Sequence, residues 1–160
     1  MNDEAKLYLQ RAENELVAAN ILFDISSNSE LQKEQFKLEK NFTFYSTVIS
    51  HSYYCIFYSA KAILINEGIK TDYPEVHKKT LDAFENYLVK TGKLDVELLK
   101  IYRKMIIRAD ELLGIFSMEK KKRGEFTYQK LPQANREPAK ESLDNASLFF
   151  KNINKILGYL

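Results

Sequence analysis

The sequence predicts an all-α protein, a single-domain antiparallel bundle of about five helices over residues 1–160. Three observations lead there. Only five glycines and three prolines interrupt 160 residues, so long elements run unbroken. Apolar residues recur at three- and four-residue spacing, and no convincing period-2 alternation is bounded by turn residues. The stretch from Asn41 to Ile69 is apolar round most of a helical circumference, yet Ser, His, Lys and Asn break it. A helix of that kind belongs in the middle of a bundle.

Taken in order, the first helix runs from about Asp3 to Ile25. Ala5, Tyr8, Leu9, Ala12, Leu16, Ala19, Ile21 and Phe23 recur at helical spacing, and Asp3 and Glu4 suit its N-terminus. Ser26-Ser27-Asn28-Ser29 ends it. Residues Glu30 to Lys40 are charged and weakly patterned, and read as a mobile connection or a short extra helical turn. The central helix follows and stops near Gly68. Its apolar positions form two adjoining stripes, one of Phe44, Val48, Cys55 and Ala62, the other of Ile49, Tyr53, Ile56, Phe57, Ala60 and Leu64. A narrow polar stripe remains: Thr47, Ser50, His51, Tyr54, Tyr58 and Lys61.

Pro74 followed by Glu75 fits a helix start, and the third helix turns Val76, Thr80, Leu81, Phe84 and Leu88 inward. Gly92 is placed to close it. The fourth begins near Asp95 and continues a stripe from Leu98 through Phe116 to about Met118. Residues 119–138 hold a cationic run, a glycine and two prolines, the longest irregular connection in the chain. A fifth helix from about Pro138 buries Ala139, Leu143, Ala146, Phe149, Phe150, Ile153 and Leu157.

The totals exclude several classes. A hydrophobic share of 45% with 29% charged residues is that of a globular domain, and no apolar run reaches the roughly 18 residues of a spanning helix. The single cysteine, Cys55, has no partner for a disulfide, which favours a reducing, cytoplasmic setting. A net charge of +2 is too small to declare nucleic-acid binding, so any such role rests on local clusters. The two histidines, His51 and His77, lie on different helices without Cys or HExxH-type neighbours, which argues against a metal; no phosphate-binding glycine loop or serine nucleophile elbow is present. No cofactor is implied.

Three clusters carry possible chemistry. The stripe of His51, Tyr54, Tyr58 and Lys61 suits a phosphate, a base edge or a partner helix, and equally a partly solvated or dimer-facing surface. Arg108 with Asp110 and Glu111 reads as an ion-pair knot, or as an arginine holding phosphate beside a carboxylate. Lys120-Lys121-Lys122-Arg123 complements a helix C-terminus, but it leads into Phe126 and Tyr128, a mixture of charge and stacking surface that suits single-stranded RNA or a nucleotide.

The ordered set of motifs resembles the prokaryotic HEPN domains. Ser50 to Ala62, SHSYYCIFYSAKA, is similar to that family's S-R-x-Y-Y-x-x-F-x-A-A-[RK]-A stretch, with His51 where arginine is common. Val76 to Phe84 resembles the following H-x-x-[TL]-x-x-x-F helix, and Val89 to Asp95 its V-x-T-G-x-x-D turn. Arg108-Ala109-Asp110 is similar to its R-x-x-D patch, and Ala146 to Phe150 to its closing A-x-x-F helix.

The resemblance implies an all-α bundle that forms homodimers, and a small nucleotidyltransferase as partner in a toxin–antitoxin-type module. It also implies metal-independent ribonuclease chemistry through an R-x(4–6)-H motif, the His as acid or base and the Arg stabilising phosphate charge. Here no His follows Arg108 or Arg123 at that spacing. Arg123 is followed instead by Tyr128 after four intervening residues, and a tyrosine of pKa about 10 is a poor base at neutral pH though a competent donor. The expectation is a nucleotide- or RNA-binding protein partnered by a nucleotidyltransferase, with His51, Tyr54, Tyr58, Lys61, Arg108, Asp110, Lys121 and Lys122 as binding residues. Arg123 and Tyr128 are the candidate catalytic pair. A ribonuclease toxin and a non-enzymatic dimeric scaffold are the alternatives.

Overall fold

The computed structural model describes residues 1–114 and 135–159, and every regular element among them is helical. The elements are α1 (Asp3–Ser26), α2 (Ser29–Phe36), α3 (Tyr45–Asn66), α4 (Val76–Ala83), α5 (Val96–Leu113) and α6 (Arg136–Leu157). α4 continues without a break into a π-helical turn, Phe84–Val89.

Local chemistry sets most boundaries. The Asn2 side chain accepts from the Ala5 amide at 2.8 Å, and Asp95 accepts from that of Glu97 at 2.8 Å, so each satisfies an amide that the first turn leaves open. α5 stops at Leu113 because Gly114 takes a φ of +59°, returning its amide to the Asp110 carbonyl at 2.9 Å. The expected continuation of that stripe to Phe116 and Met118 lies outside the described residues. α6 begins earlier than expected, at Arg136, with Pro138 in a first turn that needs no amide from it.

α3 is the hub. Fourteen of its 22 residues are buried, which is why its sequence is apolar on most sides. α1 runs antiparallel to it: Asn2 reaches Asn66 and the Ile65 carbonyl, while at the other end Ser26 Oγ accepts from the Phe44 amide at 2.7 Å. α6 runs alongside α3 in the same direction, with Cys55 Sγ 4.0 Å from the Ala146 carbonyl. α5 opposes α6, since Tyr102 meets Phe149, and Arg108, nearer the end of α5, reaches Pro138 near the start of α6. α1 and α5 therefore run opposite to α3 and α6, an up-and-down form of the all-helical bundle the sequence predicts.

Two apolar clusters meet at Leu16. The larger surrounds Tyr53, Phe84, Tyr102, Met105 and Phe149, and the smaller joins Ala19, Phe23, Val48, Ile49, Ala139 and Leu143. The π turn serves this packing by setting Phe84 5.4 Å from Tyr102 and 5.5 Å from Phe149, centroid to centroid. Cys55 is wholly buried, and that burial pushes its thiol pKa up, so it is a core residue and not a nucleophile.

One expectation needs correcting. Ile21 is 53% exposed, because the inward face of α1 follows Ala5, Leu9, Ala12, Leu16, Ala19 and Phe23, and Ile21 sits about 200° round the helix from Ala19. Of the two readings of Glu30 to Lys40, the short helical element is the one observed, as α2. Buried Gln32 donates to the carbonyls of Ile25 (2.7 Å) and Phe42 (2.8 Å) and accepts from the Phe42 amide (2.8 Å). One amide side chain thus ties α2 to the end of α1 and the approach to α3.

Candidate functional site

The polar stripe of α3 faces the polar side of α1, and each helix supplies half of a continuous surface. His51 pairs through Nδ1 with Glu15, both about a third or less exposed. One turn of α1 away, the Arg11 guanidinium lies over two rings, 5.6 Å from the centre of Tyr8 and 5.9 Å from that of Tyr58. Tyr58 lies 6.0 Å from Tyr8 and 5.9 Å from Tyr54. His51 and Lys61 bracket this row, about 15 Å apart along the helix at its ordinary rise. It is a strip of aromatic faces with a cation above its middle and an acid–imidazole pair at one end.

Electrostatics keep the tyrosines as donors. Burial raises the Tyr54 and Tyr58 phenols above their ordinary value, and the Glu15 charge raises them further. Both hydroxyls therefore remain protonated at neutral pH, able to donate to a phosphate or a base edge.

Lys61 plays a different part from the one its spacing suggests. Only 5% of it is exposed; its ammonium donates to the Thr71 carbonyl at 3.0 Å and sits 5.1 Å from the Tyr8 ring centre. The Thr71 hydroxyl in turn meets that of Thr80 at 2.7 Å, so Lys61 closes the loop between α3 and α4 from within.

Arg108 occupies the opposite side of α3. It donates to the Pro138 carbonyl (3.2 Å), the Ser142 hydroxyl (3.1 Å) and the Glu141 carboxylate (3.0 Å). Among the described residues its ion-pair partner is thus Glu141 on α6, and its charge also acts on Glu111. Lys104 pairs with the same Glu141, and these two cations hold that carboxyl below the ordinary range, Lys104 foremost. A cleft of about 310 Å³ over Arg108 is lined by Ile49, Lys104, Ile107, Glu111, Leu112 and Pro138. Asp110 is buried, and its charge bears on Tyr53 beneath α3.

Ile49 lines the Arg108 cleft, and His51, two residues on, sits about 200° round α3 and pairs with α1. The fold therefore separates His51 from Arg108. Lys121, Lys122, Arg123 and Tyr128 lie outside the described residues. Sequence reasoning missed Tyr8, Arg11 and Glu15. Their signal was the spacing Tyr8, Arg11, Glu15 along one edge of α1, which becomes informative only once α1 is laid against the α3 stripe.

Among the described residues no group of three metal-ligating side chains comes together, and no helix is long and apolar enough to cross a membrane.

A family model described as HEPN domain matches residues 26–156. Putative toxin MJ0142 of Methanocaldococcus jannaschii is 33% identical over 88 residues, which cover 49% of this chain and 58% of that protein. A UPF0332 protein of Thermotoga maritima is 31% identical over 111 residues, 69% of this chain and 71% of that protein.

Proposed function

We propose that this chain, which belongs to the HEPN domain family, binds a nucleotide or single-stranded RNA along the α1–α3 strip. The observation that carries this reading is the Arg11 guanidinium lying over Tyr8 and Tyr58, with Tyr54 beside them. Aromatic faces stack unpaired bases, each stack contributing about 1–3 kcal/mol, and a guanidinium among them takes the phosphate between. Supporting a binding role over cleavage, neither Arg108 nor Arg123 has a His at the family spacing, and His51 lies across α3 from Arg108.

The chain works as a homodimer in the cytoplasm, paired with a small nucleotidyltransferase in a toxin–antitoxin-type module, and the toxin name of the archaeal relative supports that context. Lys121 and Lys122 are proposed to add phosphate contacts to the same ligand.

Anisotropy titration of a labelled single-stranded RNA and of free nucleotides tests the binding. Affinity should fall steeply with salt, and Arg11→Ala or Tyr58→Ala should weaken it. No binding at low salt and no co-purifying nucleotidyltransferase would leave only a dimeric scaffold. The toxin name also favours a second reading, a metal-independent ribonuclease using Arg123 and Tyr128. Growth arrest with RNA cleavage on expression of the chain alone, both abolished by Arg123→Ala, would establish it in place of the first.

A further inference from the structure

His77 reaches from α4 into the aromatic side of α3. Its ring centre lies 4.3 Å from that of Phe57, 5.7 Å from that of Tyr53 and 6.0 Å from that of Tyr54. Its Nδ1 is 2.7 Å from the Tyr53 hydroxyl, which belongs to a wholly buried side chain. Tyr54 joins this group to the strip, since it touches His77 on one side and Tyr58 on the other. α4 is also tied to α3 through Thr80, Thr71 and Lys61. The histidine and the buried ammonium thus hold the same short helix in place.

We infer that His77 is a pH-sensitive latch: its neutral imidazole holds α4 against α3, and protonation loosens α4 together with the Tyr54 end of the strip. In the latched state the Tyr53 hydroxyl donates to Nδ1. Burial raises the Tyr53 phenol well above its ordinary value, so that proton stays on oxygen. A protonated imidazole must itself donate from Nδ1, which removes the acceptor from a buried hydroxyl.

The surrounding charges point the same way. Among the described residues, α3 presents Tyr53, Tyr54 and Lys61 to the ring, and from α5 the charge of Asp110 bears on Tyr53. On α4 itself Lys78, Lys79 and Asp82 are exposed, as is Glu75 just before it. The face of Phe57 attracts a cation, but half-burial, and after it the Lys61 ammonium, outweigh that attraction and hold His77 below its ordinary value. With the folded value depressed, the latch is fully closed above about pH 6.5 and opens as pH falls below it.

The consequence for binding rests on the reading of the strip given above; the latch itself does not. Backbone amide exchange, corrected for intrinsic rates, is measured on the full chain at pH 8 and pH 5, alongside binding of a labelled oligouridylate. Amides of α4 should exchange faster at pH 5 than at pH 8, while those of α1 and α6 hold. His77→Phe, which keeps a ring but cannot titrate, should abolish the acceleration. His77→Gln, which keeps a hydrogen-bond partner for Tyr53, serves if the phenylalanine variant does not fold. Equal α4 exchange at both pH values, or acceleration that persists in the variants, overturns the latch. An oligouridylate that binds at neither pH while α4 still loosens overturns the binding reading and supports the latch.

Discussion

Arg11 and Arg108 are the same residue type on opposite sides of one central helix, and the fold uses them in opposite ways. Arg108 is spent on structure: a carbonyl, a hydroxyl and a carboxylate, all from α6, take its donors. Arg11 is exposed and lies over two tyrosine rings. A guanidinium whose fork is already filled has little left for a ligand, whereas one resting on aromatic faces keeps its edge for an incoming phosphate. The contrast separates a helix clamp from the proposed recognition surface, although the sequence flags the first and passes over the second.

The deepest break strikes the helix that both sides share. Tyr53→Ala empties a buried site under the strip and removes the partner of His77, so it should cost about 3–5 kcal/mol of stability, read as a lowered urea midpoint. Binding should be weakened with it. A midpoint within experimental error of the parent would mean that α3 is not the hub described here.

Arg108→Ala separates stability from recognition. It should cost about 1.5–3 kcal/mol, because it leaves Glu141 and the Pro138 carbonyl short of a charged donor. Nucleic-acid affinity should be unchanged once the fraction folded is accounted for.

Tyr58→Ala should do the reverse. The ring is only partly buried, so its removal should move the urea midpoint less than Tyr53→Ala does, while the lost stack should weaken RNA binding by about 1–3 kcal/mol. Titration calorimetry and a denaturation curve on the same sample check both halves.

How much of this was legible before folding differs by element. Capping at Asp95, the turn at Gly92 and the buried stripes of α3 follow from local chemistry and periodicity, so the sequence shows them directly. Gln32 and Arg11 were not visible, because their meaning lies in which helix they face. Nothing local marks a glutamine that will tie three segments, or an arginine that will lie over a tyrosine 47 positions on at Tyr58. Arg108 misled for the complementary reason: its neighbours Asp110 and Glu111 offered partners in sequence, and tertiary packing supplied Glu141 instead. Asp110, two residues on, is turned about 200° away into the core.

The smallest effect is a difference in acid response between the two sides. Glu141 is held below its ordinary value, so the stability it gives the α5–α6 pairing is complete above about pH 4.3 and declines as pH falls below that. His77 acts higher, its contribution declining below about pH 6.5. Site-resolved amide exchange during acidification should therefore show α4 loosening before α5 and α6. Simultaneous loosening would remove the distinction.

One paired titration decides whether the α1–α3 side takes the ligand and the α5–α6 side does not. Arg11→Ala and Arg108→Ala are compared with the parent for binding of the same labelled single-stranded RNA at several salt concentrations. Arg11→Ala should weaken binding and lower the salt slope by about one phosphate contact, while Arg108→Ala should match the parent at every salt. Weakened binding and a reduced slope in Arg108→Ala, with Arg11→Ala unaffected, would contradict that assignment.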